Sequence, residues 1–267
     1  MRKAIFITGG GSGIGRAVAQ RFAREGWLVG LADINEAGLA ETAALLPEGA
    51  SWTIRLDVRD RTAWDEALAA FAQASGGRLD VLFNNAGVAH GGPFAENQQN
   101  AIDQLIDVNF RGVVHGAQAA YPLLKATPGS CLLNTASAAA LYGAAGLAVY
   151  AATKFAVRGF TEALDIEGSG DGIKVRDLMP GFIDTPLLVP PAHAGTNQSM
   201  RESVVEAGLE FTPVEVVADT AWDAVTSPKL HHLIGKTARR IAFSARWTPG
   251  RLRKGMTRNF GDRKSVV

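Results

Sequence analysis

The sequence predicts an α/β fold, a doubly wound parallel sheet of about seven strands with helices on both faces. Three observations predict it. Short apolar runs alternate along the chain with stretches whose apolar residues recur at helical spacing. That rhythm is the one that parallel strands joined by crossover helices produce. The composition, 47% hydrophobic and 20% charged over 267 residues, is that of an ordinary globular protein large enough to bury a core without staples. No Pro/Gly/Ser linker and no shift of composition interrupts the chain before residue 182, which favours one domain over 1–267.

The strands are expected at 3–8, 27–33, 51–57, 79–84, 130–136, 172–179 and 231–235. The helices are expected at 13–26, 36–46, 60–75, 98–126 and 149–168, where the apolar positions follow a 3.6-residue period. Between 182 and 212 the rhythm fails. Pro186, Pro190, Pro191 and Gly195 predict a long loop with a short helix, and loops of that length in compact domains usually serve function or are disordered. The chain holds no internal repeat and no low-complexity tract.

Two places carry chemistry. The first expected strand runs into Thr8-Gly9-Gly10-Gly11-Ser12-Gly13-Ile14-Gly15 and then a helix. Such a turn lets backbone approach a pyrophosphate, and the helix N-terminus offers free N–H groups and the positive end of its dipole. The spacing is G-x-x-x-G-x-G, not G-x-G-x-x-G, and a glycine turn can also be purely structural; its place between strand and helix favours the phosphate reading. The second strand ends at Asp33, about 20 residues past the turn, where a carboxylate can accept hydrogen bonds from ribose hydroxyls and repel a 2′-phosphate. No Lys or Arg lies in Gly9–Gly15 or directly after Asp33, and Arg16 is the nearest cation. The cofactor expected on this reading is NAD.

The second place is Tyr150-Ala151-Ala152-Thr153-Lys154. Residues i and i+4 share a helix face, so Lys154 lies near Tyr150 and its charge is expected to lower the phenol pKa. A phenol so tuned can exchange a proton with a carbonyl or alcohol oxygen. Taken alone, Tyr-x-x-x-Lys is a commonplace surface pair. In company with the glycine turn it resembles the short-chain dehydrogenase/reductase family, in its compact single-domain branch. The resemblance runs from residue 4 to about 187 through Thr8–Gly15, Asp33, Asp57-Val58, Asn84-Asn85-Ala86-Gly87, Asn109, Ser137, Tyr150/Lys154 and Pro180-Gly181 with Thr185, in the family's order. Ser137 precedes Tyr150 by 13 residues, the family's usual spacing.

The resemblance implies a Rossmann-type fold and a role for each residue. Tyr150 would be the general acid/base, and Ser137 the hydroxyl that orients and polarises the substrate oxygen. Lys154 would hold the nicotinamide ribose and tune Tyr150. Asn109 would support a water-linked proton path to Lys154. Gly9, Ser12, Gly13, Ile14 and Gly15 would cradle the cofactor. Asp33 would meet the adenosine ribose, Asp57 and Val58 the adenine, and Asn85 a point near that ribose. Ala86, Gly87, Pro180 and Gly181 would also line the cofactor site, with Thr185 on the nicotinamide side. The Asn84–Gly87 stretch has a second reading, as a brace of the central sheet. Departures from the family pattern are Ala136 where a second Ser is frequent, a glycine-rich joint at 168–172, and a C-terminal extension after about 236.

The reaction expected is interconversion of a secondary alcohol and a ketone. The segments 88–97, 138–149 and 182–200, which would overhang the nicotinamide, contain no Lys or Arg. A phosphate or carboxylate on the substrate would normally be met by a cation, so a neutral, fairly apolar substrate is expected. The alternatives are a 3-oxoacyl-thioester reductase of the same fold, disfavoured by Asp33, a sugar-nucleotide epimerase, usually longer, and a non-enzymatic NAD-binding sensor. Such a sensor would not need Ser137, Tyr150 and Lys154 together. The histidines, including His90, His193 and His231-His232, lack metal-site spacing, and no metal is expected.

The charge is uneven. From Lys236 onward there are ten Lys/Arg and one acid, so this extension carries +9 and the rest of the chain −8. Such a tail can dock on its own body, a neighbouring subunit or an anionic surface, but it shows no nucleic-acid module. A single cysteine, Cys131, in an apolar run suggests a buried, inert thiol and a reducing compartment. No stretch approaches about 18 apolar residues and no signal peptide is visible, so a cytoplasmic protein without a membrane span is expected. The apolar helices 98–126 and 149–168 suggest a homodimer or homotetramer.

Overall fold

The computed structural model describes residues 2–189, 199–206 and 208–264. Strands β1 (Ala4–Thr8), β2 (Leu28–Asp33), β3 (Ser51–Arg55), β4 (Val81–Asn84), β5 (Cys131–Thr135) and β6 (Lys174–Pro180) alternate with helices. These are α1 (Gly13–Arg24), α2 (Glu36–Ala44), α3 (Arg61–Ser75), α4 (Gln99–Ile106), α5 (Gly112–Ala126) and α6 (Ala148–Ser169). Beyond β6 come a short strand β7 (Phe182–Ile183), α7 (Met200–Glu206), β8 (Phe211–Thr212), α8 (Val214–Thr226), β9 (His231–Ile234), α9 (Gly235–Trp247) and α10 (Pro249–Lys264).

Seven parallel strands form one sheet in the order β3-β2-β1-β4-β5-β6-β9. The order reverses between β1 and β4. At such a switch point the loops leaving the strand ends part and open a crevice for ligands. Both sheet faces are covered, which is why the strands read as unbroken apolar runs. In β1, Ile5 and Ile7 point into a core with α1 and α8, while Ala4 and Phe6 point into a second core with α3 and α5. The period-2 alternation of side chains along a strand makes that division. At the far edge β9 pairs with β6, where His231 Nδ1 lies 2.9 Å from an oxygen of the fully buried Asp177.

The structure departs from the sequence expectation in three places. The helix expected over 98–126 is interrupted by a π-helical turn at Asp107–Arg111, whose extra residue per turn rotates the fully buried Asn109 inward. The segment 182–212 is not simply a loop with a short helix, because β7 and β8 pair in parallel across it; Pro190, Pro191, His193 and Gly195 lie outside the described residues. Helix α8 was not expected. Its buried Val217, Ala218, Ala221, Ala224 and Val225 nevertheless recur at helical spacing. The basic extension from 236 is largely helical, as α9 and α10.

Candidate active site

The turn after β1 is built for close approach. Gly9 and Gly13 have φ of 67° and 50°, a region that side-chain-bearing residues rarely adopt. A Cβ on Gly15 would collide with the Gly9 carbonyl oxygen, so this position needs glycine to pack helix against turn. Ser12 caps α1 in extended conformation but its side chain makes no cap hydrogen bond, and the first turn of α1 carries no acid. The free amides of that turn therefore face the cavity without an internal anion, which suits a phosphate. The residues present fit a dinucleotide.

Asp33 stands at the C-terminal end of β2. One carboxylate oxygen accepts from Gly11 N at 3.0 Å and the other from Asn35 N at 3.0 Å. These bonds fix the carboxylate beside the turn. Arg16, the nearest cation by sequence, is engaged: it donates to Gly11 O at 2.6 Å, Thr42 Oγ1 at 3.0 Å and Glu41 Oε2 at 2.7 Å. Arg59, a cation the sequence reading overlooked, lines the same cavity but pairs with Asp57 at 2.6 Å. That pairing holds the Asp57 carboxyl below its usual value.

At the other end of the cavity, β5 ends and the chain turns through a 3₁₀ turn, Ala138–Ala140, capped by Ser137. The Ser137 hydroxyl accepts from Ala139 N at 3.1 Å and also hydrogen-bonds Tyr150. Tyr150 and Lys154 lie one turn apart on α6, with Lys154 Nζ 5.7 Å from the Tyr150 ring centre. Lys154 is buried and donates to Thr135 O at 2.8 Å. Desolvation pushes its pKa down to about 8. Tyr150 differs from the expectation. Desolvation raises its pKa, and the only opposing influence is the hydrogen bond from Ser137, not Lys154. The physical reason is that burial penalises both charged forms, ammonium and phenolate alike.

Asn109 does not reach Lys154 directly. Its amide accepts from Val88 N at 2.8 Å and donates to Val88 O at 2.9 Å. Between the two lies Gly87: a Cβ there would come 3.2 Å from Asn109 Oδ1 and 3.8 Å from Lys154 Nζ. Missing that side chain leaves a gap between them. Asn85 is turned to bracing, donating to Thr8 O at 3.0 Å and accepting from Thr135 Oγ1 at 3.2 Å, across the ends of β1 and β5. Asn84 donates to Asn134 Oδ1 at 3.1 Å in the sheet interior. The geometry of this stretch thus favours the brace among its two sequence readings.

These groups border one cavity of about 580 Å³, within the range of small-molecule sites. Gly9, Ser12, Gly13, Ile14, Asp33, Asp57 and Val58 line one part of it. Asn85, Ala86, Gly87, Ser137, Tyr150, Lys154, Pro180, Gly181 and Thr185 line the rest. Gly15 and Asn109 do not line it; they act from behind, on the turn and on Val88.

The family model described as short chain dehydrogenase matches residues 3–193. A meso-2,3-butanediol dehydrogenase of Serratia marcescens is 35% identical over 82% of this chain and 86% of its own length. The chain belongs to the short-chain dehydrogenase/reductase family. It is therefore a member of an oxidoreductase family, on the Rossmann-like fold described above. A 2,5-dichloro-2,5-cyclohexadiene-1,4-diol dehydrogenase of Sphingobium indicum is 38% identical over 71% of this chain and 77% of its own. Among solved structures, levodione reductase superposes with a TM-score of 0.80 at 26% identity, over 90% of this chain and 98% of that one. A family member from Burkholderia phymatum in complex with NAD gives 0.79 at 27%, over 95% of each chain. A 3-ketoacyl-(acyl-carrier-protein) reductase from Brucella melitensis complexed with NADH gives 0.79 at 28%, over 88% and 98%.

Several lining residues of this family member escaped the sequence reading. Ile34 follows Asp33 and is largely exposed at the cavity. Gln104 and Val108 arrive from α4 and the π-helical turn. Thr237 and Ile241 of α9 and Met256 of α10 come from the extension. No spacing signal ties residues so distant in sequence to the site. Arg201, just beyond the 182–200 segment, is held by both oxygens of Asp184 at 2.8 Å. Among the described residues no group of three or more His, Cys, Asp or Glu could hold a metal, and no helix is long and apolar enough to cross a membrane. Cys131 is fully buried on β5, and desolvation pushes its thiol up to about 12.

Proposed function

We propose that the chain is an NAD(H)-dependent oxidoreductase that interconverts a neutral, fairly apolar secondary alcohol and its ketone. The observation that carries this reading is Tyr150, hydrogen-bonded to Ser137 and one helical turn from a buried Lys154, on the wall of the cavity that the glycine turn also borders. A nicotinamide dinucleotide, when bound, supplies the hydride acceptor for oxidation or the donor for reduction. The Gly9–Gly15 turn and the first amides of α1 hold its phosphates, Asp33 its adenosine ribose, and Asp57 and Val58 its adenine. Lys154 and Tyr150 hold the nicotinamide ribose, and Thr185 the nicotinamide side.

Tyr150 Oη exchanges the proton with the reacting oxygen, taking it from an alcohol or giving it to a ketone. Ser137 Oγ donates a hydrogen bond to that oxygen and keeps it within reach of Tyr150. Desolvation brings the pKa of the Lys154 ammonium down to about 8, and it is the Ser137 hydrogen bond that favours the buried Tyr150 phenolate. Apart from Lys154, no Lys or Arg borders the Ser137 end of the cavity among the described residues. This favours an uncharged substrate, in keeping with the diol dehydrogenases among the relatives.

The test is spectrophotometric. Purified protein is incubated with NAD⁺ and a panel of secondary alcohols and diols, and NADH formation is followed. Turnover is expected, and Tyr150→Phe should reduce it about 10²–10⁴-fold while dinucleotide affinity changes little. Near-normal turnover in Tyr150→Phe, or measurable NAD binding without turnover across the panel, would refute the mechanism; the second result would support a sensor.

A further inference from the structure

The family match ends at residue 193, yet the catalytic cavity does not. Its wall is completed by Thr237 and Ile241 from α9 and by Met256 from α10. Met256 has a second neighbour. A separate cavity of about 620 Å³ lies against the start of α6, with Ala148, Ala151 and Ala152 on its wall. Tyr142, Ala144 and Met256 border both cavities, so together they form the partition between them. Tyr142 is a stiff ring and Ala144 has nothing to move. Met256, half-buried, is unbranched, with three rotatable bonds. It is the member of the partition whose length and conformation can change the depth of the catalytic cavity.

Resting on the alcohol/ketone reading above, we propose that Met256 is a specificity-determining residue that sets how long an apolar substituent the substrate can carry. The substituent runs from the reacting carbon, held by Ser137 and Tyr150, toward α10 and stops against the Met256 side chain. The neighbouring cavity is the space that a longer chain enters once that side chain is shortened. The chemistry of the two walls fits an alkyl chain. Ile241 and Met256 face it from the extension, and the alanines of α6 continue the apolar lining on the far side of the partition. Arg253, exposed at the rim of the second cavity, can lay its apolar stem along this wall while its charge stays in water.

The experiment compares the native protein with Met256→Ala, Met256→Trp and Met256→Leu. The first readout is the ratio of kcat/KM for long over short methyl ketones, from butanone to dodecanone, with NADH. The second is calorimetric binding of aliphatic carboxamides of the same chain lengths to the NADH-loaded protein, which needs no turnover. Met256→Ala should raise the long-to-short ratio at least about tenfold, and Met256→Trp should lower it by a similar factor, the range that methylene-scale changes in a pocket produce. Met256→Leu, of similar volume, should keep the native ratio. The same order should appear in carboxamide affinity. If all three variants keep the native chain-length profile in both readouts, Met256 does not set the limit. If carboxamide affinities shift as expected but no ketone is reduced, the wall assignment holds and the alcohol/ketone reading falls.

Discussion

Lys154 shows how the site spends stability on chemistry. Its ammonium is almost fully buried and donates to Thr135 O, and desolvation lowers its pKa to about 8. The folded-state value lies below the ordinary one of ~10.4. The folded protein therefore carries a penalty that is full below pH about 8 and fades as pH rises toward the unfolded value. Lys154→Met removes the charge but leaves Thr135 O without its donor. The net expectation is a cofactor-free protein more stable at neutral pH by roughly 1–2 kcal/mol, with turnover lost. Urea unfolding at a series of pH values checks it: the gain should shrink above pH about 8, and a variant that is less stable at neutral pH would contradict the account. Cofactor choice belongs to this scale too. Arg16 and Arg59 both have carboxylate partners, and Asp33 faces the cavity. A 2′-phosphate would meet a carboxylate without a spare cation. NAD(H) should outperform NADP(H) in kcat/KM by more than about tenfold, and Asp33→Ala should narrow the gap; equal efficiency would overturn the NAD assignment.

At the scale of elements, the β1–turn–α1 unit is where sequence and geometry agree most closely. Gly15 is required because the backbone of Gly9 passes where a Cβ would be. Gly15→Ala should therefore push α1 away from the turn, weakening dinucleotide binding by about tenfold or more and lowering stability by roughly 1–3 kcal/mol. Fluorescence titration with NADH and thermal unfolding measure the two effects; an unchanged affinity would show that the turn does not hold the phosphates. The α4–α5 region shows the opposite relation. Helical periodicity runs through 98–126, but the π-helical turn at Asp107–Arg111 answers to Asn109, whose amide must meet both backbone groups of Val88. A bulge that satisfies a distant backbone leaves no periodic trace in its own segment.

The whole molecule places the charge-rich extension against the site instead of trailing it. α9 packs on β9 and the Ser137 turn, and α10 packs on α9, so a segment with ten basic residues from Lys236 onward supplies apolar lining to the cavity. The same molecule leaves Ile106 on α4 and Ile166 on α6 exposed, the latter at 77%. Large apolar side chains left on helices that the sequence marked as over-apolar are expected to be covered by a second copy, since two-fold homo-oligomers are the commonest soluble assemblies. Light scattering at micromolar concentration should give at least a dimer, and Ile166→Glu should shift it toward monomer. A monomeric native protein would refute this.

By itself the sequence determined the parallel sheet and its seven strands, and through a family resemblance it pointed to Ser137, Tyr150 and Lys154 as a group. Strand and helix are encoded locally by periodicity, the turn by its glycines and the Tyr–Lys pair by one turn of helix, while Ser137 was legible only through the resemblance. The tertiary structure alone decided what depends on neighbours distant along the chain. It decided that burial raises Tyr150 instead of Lys154 lowering it, because desolvation is set by everything packed around a group. It turned Asn85 to bracing β1 against β5, and occupied Arg16 with Glu41 and Thr42. And it brought Met256 to within reach of Tyr150's cavity across more than a hundred residues of chain, a proximity created by the packing of α10 and α9 on the body, which no local pattern of residues records.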